Sequence, residues 1–166
     1  MKRLLFTSLF FAAATVATVA QKSPHETVTQ TVNGKKVSIT YGRPYMKGRD
    51  VWDASKNIAP NGKVWRTGAD SSTVFHVDKA VKIEGKDLPA GRYALFTIPG
   101  EKEWTIIFNK AVKWGAYSYK QDEDVLRVTV PAKMTTSPTE QFTINVGKRG
   151  KVAMMWANAE ANFKVQ

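Results

Sequence analysis

The side chains best suited to chemistry lie in one stretch, residues 42–72, which reads GRPYMKGRDVWDASKNIAPNGKVWRTGADSS. Its cationic and large aromatic residues are Arg43, Lys47, Arg49, Lys56, Lys63 and Arg66, with Tyr45, Trp52 and Trp65. A guanidinium group binds a carboxylate or phosphate through paired hydrogen bonds, and aromatic rings offer flat faces for stacking. The composition of this stretch therefore predicts a pocket for an anionic or sugar-like ligand.

The predicted ligand-binding residues are Arg43, Lys47, Arg49, Trp65 and Arg66. A structural alternative stays open, in which the arginines pair with carboxylates of the protein itself and the tryptophans fill the core. The two hypotheses differ in whether the cations face solvent or the rest of the chain.

One acid–base pair is the second candidate. His76 alternates with Phe75 and Val77, so it lies on the face opposite two apolar side chains, and Asp70 is close in sequence. Histidine titrates near neutral pH and often acts as a general base. A hydrolase or lyase that uses His76 and Asp70 is thus the alternative function, and it requires the two side chains to come within hydrogen-bond reach.

Other catalytic patterns are absent from the sequence. There is no cysteine, which excludes thiol nucleophiles and thiolate metal sites. There is no HExxH metal motif, no G-x-S-x-G elbow and no glycine-rich phosphate loop. The acidic run at 122–124 is predicted to form a solvated face. The sequence thus predicts neither a cofactor nor a metal, and it favours a protein that is not an enzyme.

The N-terminus has the organisation of a secretory signal peptide. Lys2 and Arg3 precede an uncharged stretch at 4–19, and Thr18 and Ala20 place small residues before a cleavage site. The alternative is a membrane anchor, because the apolar run is only slightly shorter than a span. We predict that residues 1–20 are removed and that residues 21–166 form one domain, exported to the periplasm or secreted, without stable membrane insertion.

A strong positive charge accompanies this prediction of export. The chain carries a net charge of +11, and removal of Lys2 and Arg3 leaves 23 basic and 14 acidic residues, a net charge of +9. Such a charge attracts anionic surfaces. The predicted partner is an anionic small molecule, a glycan or an envelope polymer. No nucleic-acid-binding motif is present, and nothing in the sequence indicates an oligomeric state.

Most of the chain after residue 24 reads as short strands separated by turns. Asn33-Gly34 between two alternating segments predicts a β-hairpin. Residues 93–98 are almost wholly apolar and predict a central strand covered on both faces. Residues 81–83 read as a continuation of the strand at 73–78, and the segment at 131–139 as a connection rich in Pro, Ser and Thr. A second irregular segment contains Trp114, Tyr117 and Tyr119.

Roughly nine or ten short strands and no long amphipathic helix predict an all-β fold. The expected architecture is an antiparallel β-sandwich or flattened barrel with one long ordered loop at 42–72. Two tryptophans and several turn-forming glycines in that loop argue against disorder.

Several blocks resemble a known family. The strings YGRPYMKGRDVW, GKVWRTGAD, LPAGRYALFTIP, EWTIIFNK and WGAYSY are similar to successive blocks of the exported bacterial family called domain of unknown function 2911. The resemblance implies an exported all-β protein and implies no particular activity. The loop pattern W-R-T-G-A-N-E-A-T is matched through Ala69, but Asp70, Ser71 and Ser72 replace Asn, Glu and Ala.

These observations favour a binding or accessory protein of the cell envelope or secreted space. The alternatives are the hydrolase or lyase already described and a purely structural envelope protein.

Overall fold

The structure is a computed structural model and describes residues 22–112 and 119–166. Nine strands follow one another: β1 (His25–Val32), β2 (Lys35–Gly42), β3 (Thr73–Val77), β4 (Val81–Ile83), β5 (Lys86–Leu88), β6 (Gly91–Ile98), β7 (Glu103–Asn109), β8 (Asp124–Val146) and β9 (Lys151–Lys164). One 3-10 turn, Gln121–Glu123, precedes β8. Trp114 and Tyr117 of the second irregular segment lie outside the described residues.

Seven strands form one antiparallel sheet in the order β1-β2-β3-β6-β7-β8-β9, and β4 and β5 form a separate hairpin. The sheet curls so that its two ends approach each other. Tyr45, just after β2, bridges Gln141 of β8, and Ile83 of β4 bridges Val165 just after β9. The predicted all-β antiparallel fold is confirmed.

Local sequence explains the first hairpin and the central strand. Asn33 and Gly34 have φ angles of 50° and 73°, as a two-residue hairpin turn with the strand twist requires. Strand β6 lies between β3 and β7, and its residues 93–97 are all buried. The alternation of β2 and β3 buries one face of each strand against the core.

The predicted connection at 131–139 is wrong, because β8 runs through it without interruption. Pro131 and Pro138 indicate a loop in the sequence, since proline cannot donate to a sheet ladder. In the structure Pro131 is paired opposite Glu103 of β7, and Pro138 lies in a bulge. Met134 pairs with Ala159 and Thr139 with Ala157, so residues 135–138 face Asn158 alone. We call residues 135–138 the β8 bulge.

Two further strand assignments are corrected. Residues 81–83 do not continue β3 but form β4, which pairs with β5. The segments VAMMWAN and NFKV, whose pattern predicts two separate strands at the end of the chain, form one long strand, β9, with Ala157 at a φ of 50° in its middle. Short alternating segments therefore merged where a bulge or a single twisted residue let the ladder continue.

Four tryptophans dominate one end of the core. Trp65 and Trp156 stack with ring centroids 5.6 Å apart, and Trp104 meets Trp65 edge-on at 6.4 Å. Trp52 contacts all three other rings. Trp65, Trp104 and Trp156 are at most 2% exposed. Stacked and edge-to-face arrangements are the favourable geometries for aromatic pairs.

The long loop is ordered, as predicted, and attached to the sheet at both ends. Trp65 forms two backbone hydrogen bonds with Thr97 of β6, at 2.7 and 2.9 Å. The Ala69 N–H donates to the Gly42 carbonyl, and a Cβ on Gly42 would lie 2.3 Å from the Ala69 oxygen. Only glycine allows so close a backbone approach.

Among the residues that the structure describes, no helix has the length and apolar character needed to cross a membrane.

Candidate functional site: a cleft floored by tryptophan

The structure contains a cleft of about 450 Å³. The long loop and the β6–β7 turn border it on one side, and strands β8 and β9 border it on the other. The lining residues are Trp52, Asn61, Gly100, Glu101, Lys102, Trp104, Ala132, Lys133, Met134, Asn158 and Ala159. This volume is within the range of small-molecule sites. We refer to it as the cleft.

The floor of the cleft is aromatic. Trp104 is 1% exposed, and half-buried Trp52 contacts it edge-on with ring centroids 5.5 Å apart. The Trp52 Nε1 atom is hidden from solvent and has no hydrogen-bond partner among the described residues. An unsatisfied buried donor is uncommon in a well-packed core. Trp52 thus lies between the tryptophan core and the cleft, and neither the core nor the described cleft residues accept a hydrogen bond from its Nε1.

The rim of the cleft is polar and open to solvent. Asn61, Asn158, Glu101, Lys102 and Lys133 are all exposed. Within the described chain, no ion pair within 4 Å engages either lysine. Lys133 lies opposite Glu160 in the β8–β9 pairing, however, and interacts with it electrostatically at longer range. Amide side chains both donate and accept hydrogen bonds, and free ammonium groups attract anions. An aromatic floor with such a rim suits a ligand that is partly apolar and carries hydroxyl or acidic groups.

A second cavity of about 300 Å³ adjoins the cleft. Its lining includes Met46, Arg49, Asp50, Val51, Trp52, Pro138, Ala157 and Asn158. Trp52 and Asn158 line both cavities. We call this second cavity the side cavity.

Backbone strain is present at the junction of the two cavities. Ala157 has a φ of 50° in the middle of β9. Non-glycine residues rarely adopt this conformation, which costs about 1–2 kcal/mol. Strained residues persist where surrounding structure holds them, often at functional sites. Here the twist at Ala157 adjoins exposed Asn158, which lines both cavities.

Arg43 is bonded to other parts of the protein. Its Nη1 lies 2.8 Å from the Glu26 carboxylate, its Nε donates to the Phe142 carbonyl, and its Nη2 donates to Thr143 Oγ1. These bonds tie the start of the loop to β1 and β8. For Arg43 the structural alternative is the one that the geometry favours.

The next two cations differ from Arg43. Arg49 lines the side cavity, and its Nε and Nη2 donate to the carbonyls of Met46 and Tyr45 at 2.8 and 2.6 Å. Lys47 is exposed and bonds to Glu140 through its backbone N–H only. Of the predicted ligand-binding residues, Arg49 alone borders either cavity.

Trp65 and Arg66 belong to the folded interior rather than to an open pocket. Burial of Trp65 in the tryptophan core removes it from any surface that a ligand reaches from solvent. Arg66 is half-buried, and its Nε has no hydrogen-bond partner among the described residues.

The predicted acid–base pair is not brought together. Asp70 lies 3.3 Å from His25 Nε2, and its neighbour Ala69 bonds to Gly42. His76 pairs with Ser38, four residues along β2 from Gly42. At ~3.3 Å per residue this is a displacement of about 13 Å along the strand. The geometry therefore gives no support to catalysis by His76 with Asp70.

The acidic run at 122–124 is solvated only in part, which corrects the prediction. The Asp124 side chain is 9% exposed and accepts hydrogen bonds from Arg127 Nε at 2.6 Å, Asn109 Nδ2 at 2.7 Å and the Tyr119 hydroxyl at 3.0 Å. Burial and the bond to Asp124 raise the pKa of Tyr119. This network fixes the start of β8.

Sequence reasoning missed most of the cleft. The sequence gives no signal that Trp104, Asn61 and Lys102 meet. Residue 133 falls in the predicted connection at 131–139, which the structure shows to be part of β8. Among described residues, no cluster of three or more His, Asp or Glu side chains has a metal-binding arrangement.

The fold and cleft together define an all-β protein built on one curled antiparallel sheet. Residues 23–165 match the family described as "Protein of unknown function (DUF2911)", and the chain belongs to that family. The resemblance found in the sequence blocks is thereby confirmed. Comparison with curated proteins finds no match, and comparison with solved structures finds none either.

Proposed function

We propose that this protein is a non-enzymatic binding module that holds an anionic, sugar-like ligand in the cleft. The observation that carries the proposal is the half-buried Trp52 in contact with Trp104, near exposed amides and two exposed lysines that line the same cleft. The proposed ligand surface differs from the one that the sequence predicted. Arg43 is bonded to β1 and β8, and Trp65 is buried in the core.

The chemistry of the cleft matches a sugar better than a purely apolar ligand. An indole ring covers the apolar face of a pyranose, and side-chain amides pair with its hydroxyl groups in either direction. Lys102 and Lys133 supply positive charge for a carboxylate, and the net charge of +9 that remains without residues 1–20 (23 basic and 14 acidic residues) draws such ligands from a distance. We propose export as well, supported by the N-terminal pattern. N-terminal sequencing of the mature protein should then begin at Gln21.

The test is isothermal titration calorimetry of residues 21–166 with a uronic acid disaccharide and with its neutral counterpart. We expect binding of the acidic sugar, weaker binding of the neutral one, and at least a roughly tenfold loss of affinity in Trp52→Ala, because buried aromatic anchors dominate binding energy. Tyr45→Ala is the matched control, since Tyr45 is an exposed aromatic residue of the same loop outside both cavities.

A second pair of variants separates charge from stacking. The double variant Lys102→Ala, Lys133→Ala should lower the affinity for the acidic sugar and leave the affinity for the neutral sugar unchanged. Lys148→Ala, in the exposed turn at the other end of the β8–β9 hairpin, should behave as the wild type. The absence of binding to either sugar, or binding unchanged by Trp52→Ala and Trp52→Phe in folded protein, would contradict the proposal.

A further inference from the structure

The cleft and the side cavity share Trp52 and Asn158 in their linings, so they lie next to each other with these two residues between them. We call the two cavities together the groove. We infer that the ligand is an extended acidic oligosaccharide that runs through both cavities across Trp52. This inference rests on the proposed function and adds the length and charge pattern of the ligand.

Arg49 is the first reason. Two of its five N–H donors are used by the carbonyls of Tyr45 and Met46, which hold the guanidinium in place. The neighbouring Asp50 accepts a hydrogen bond from the Trp52 backbone N–H, and no carboxylate within 4 Å pairs with Arg49 in the described chain. The remaining donors of a fixed guanidinium suit a carboxylate.

The distribution of charge along the groove is the second reason. The charged residues that line the cleft are Lys102, Lys133 and Glu101, and those that line the side cavity are Arg49 and Asp50. Cationic groups are therefore present on both sides of Trp52, each set beside one carboxylate. A single small acid engages only one side, whereas a chain with a carboxylate on each unit engages both. Linking two sets of contacts in one molecule raises affinity without any change in either set.

The walls of the groove are the third reason. Asn158 lies exposed at the junction and faces the β8 bulge, where Pro138 borders the side cavity. An amide at the centre of the groove can bond to ring hydroxyls on either side of the indole. A lipid chain would leave this amide and the lysines without partners, which disfavours it.

The experiment measures the affinity of residues 21–166 for β-linked uronic acid oligosaccharides of two and six units by calorimetry. We expect the hexasaccharide to bind at least about tenfold more tightly than the disaccharide. Arg49→Gln should weaken hexasaccharide binding by about tenfold and leave disaccharide binding unchanged, since a charged hydrogen bond is lost only for the longer ligand. Arg149→Gln, in the exposed β8–β9 turn, is the matched control.

The outcomes separate the two proposals. Equal affinity for both lengths, or an Arg49→Gln effect of the same size on both, overturns the extended ligand while disaccharide binding still supports the proposed function. Failure of every oligosaccharide to bind overturns both. Binding to anionic phospholipid vesicles in place of oligosaccharides also overturns both, and it would identify a membrane surface as the partner.

Discussion

The two halves of the long loop have similar composition and different partners. The outer half, residues 43–63, carries Trp52 and Arg49 to the rim of the two cavities. The inner half, residues 64–72, places Trp65 and Thr67 in the interior, where each is at most 2% exposed. A tryptophan next to a cation therefore does not identify a ligand site. Trp65 is held in the interior because its backbone pairs with Thr97 of the buried central strand β6, whereas exposed Tyr45 pairs with Gln141 of β8.

The largest expected effect is a difference in the free energy of unfolding between variants of Trp65 and Trp52. Trp65→Ala should lower the free energy of unfolding by about 3–5 kcal/mol, because it leaves a large cavity among Trp156, Trp104 and Phe142. Trp52→Ala should cost only about 1–2 kcal/mol, since Trp52 is half-buried. Urea unfolding of both variants checks this. Equal losses would mean that the two halves are equally part of the core.

A smaller effect is expected where the inner half meets the sheet. Gly42→Ala should destabilise the fold by about 1–3 kcal/mol, because the new Cβ meets the Ala69 carbonyl oxygen at 2.3 Å. Gly147→Ala is the control, since its Cβ would lie 3.5 Å from the Lys151 oxygen, an ordinary contact. Thermal unfolding compares the two. A Gly42→Ala protein as stable as the control would show that the loop shifts without cost.

The smallest effect concerns the residue before the loop. Burial raises the pKa of Tyr41 above its ordinary value of 10.0. Its hydroxyl accepts from the Ile144 N–H at 2.9 Å and lies 3.2 Å from Glu26 Oε2. The folded state thus favours the neutral phenol. The resulting stability is fully present below pH 10 and is lost as pH rises through the raised pKa.

Tyr41→Phe isolates this contribution from the other groups that titrate at alkaline pH. The difference in unfolding free energy between wild type and Tyr41→Phe should shrink as pH rises from 9 to 11, in urea titrations at fixed ionic strength. A difference independent of pH would show that Tyr41 is not desolvated, and the junction of the loop with β8 would then be open to water.

Sequence pattern predicted the elements whose signals are local. The Asn33-Gly34 turn, the alternation of β2 and the apolar run of β6 each follow from residues adjacent in the chain. The prediction that the long loop is ordered followed from its tryptophans and turn-forming glycines. These features need no knowledge of which strands become neighbours.

The cleft could not be predicted in this way, because it depends on contacts distant in sequence. Asn61 and Asn158 come together only after the sheet curls and the β8 bulge sets the register. Prolines at 131 and 138 indicate a loop instead, since a bulge that tolerates Pro138, or a strand position that tolerates Pro131 opposite Glu103, is indistinguishable from a loop in sequence. The hydrogen-bond partners of Arg43 on β1 and β8 could not be predicted from the sequence for the same reason.

The contact between Gly42 and Ala69 has a consequence for how this chain tolerates changes in length. The backbone leaves β2 at Gly42 and returns to the same point at Ala69, before β3 pairs beside β2. The residues in between form a closed excursion, so insertions there do not alter the register of the sheet. Doubling such a segment costs only about 0.6 kcal/mol in chain entropy. The outer half is therefore the place where relatives or engineered variants can acquire longer or shorter segments while the barrel-like frame stays intact.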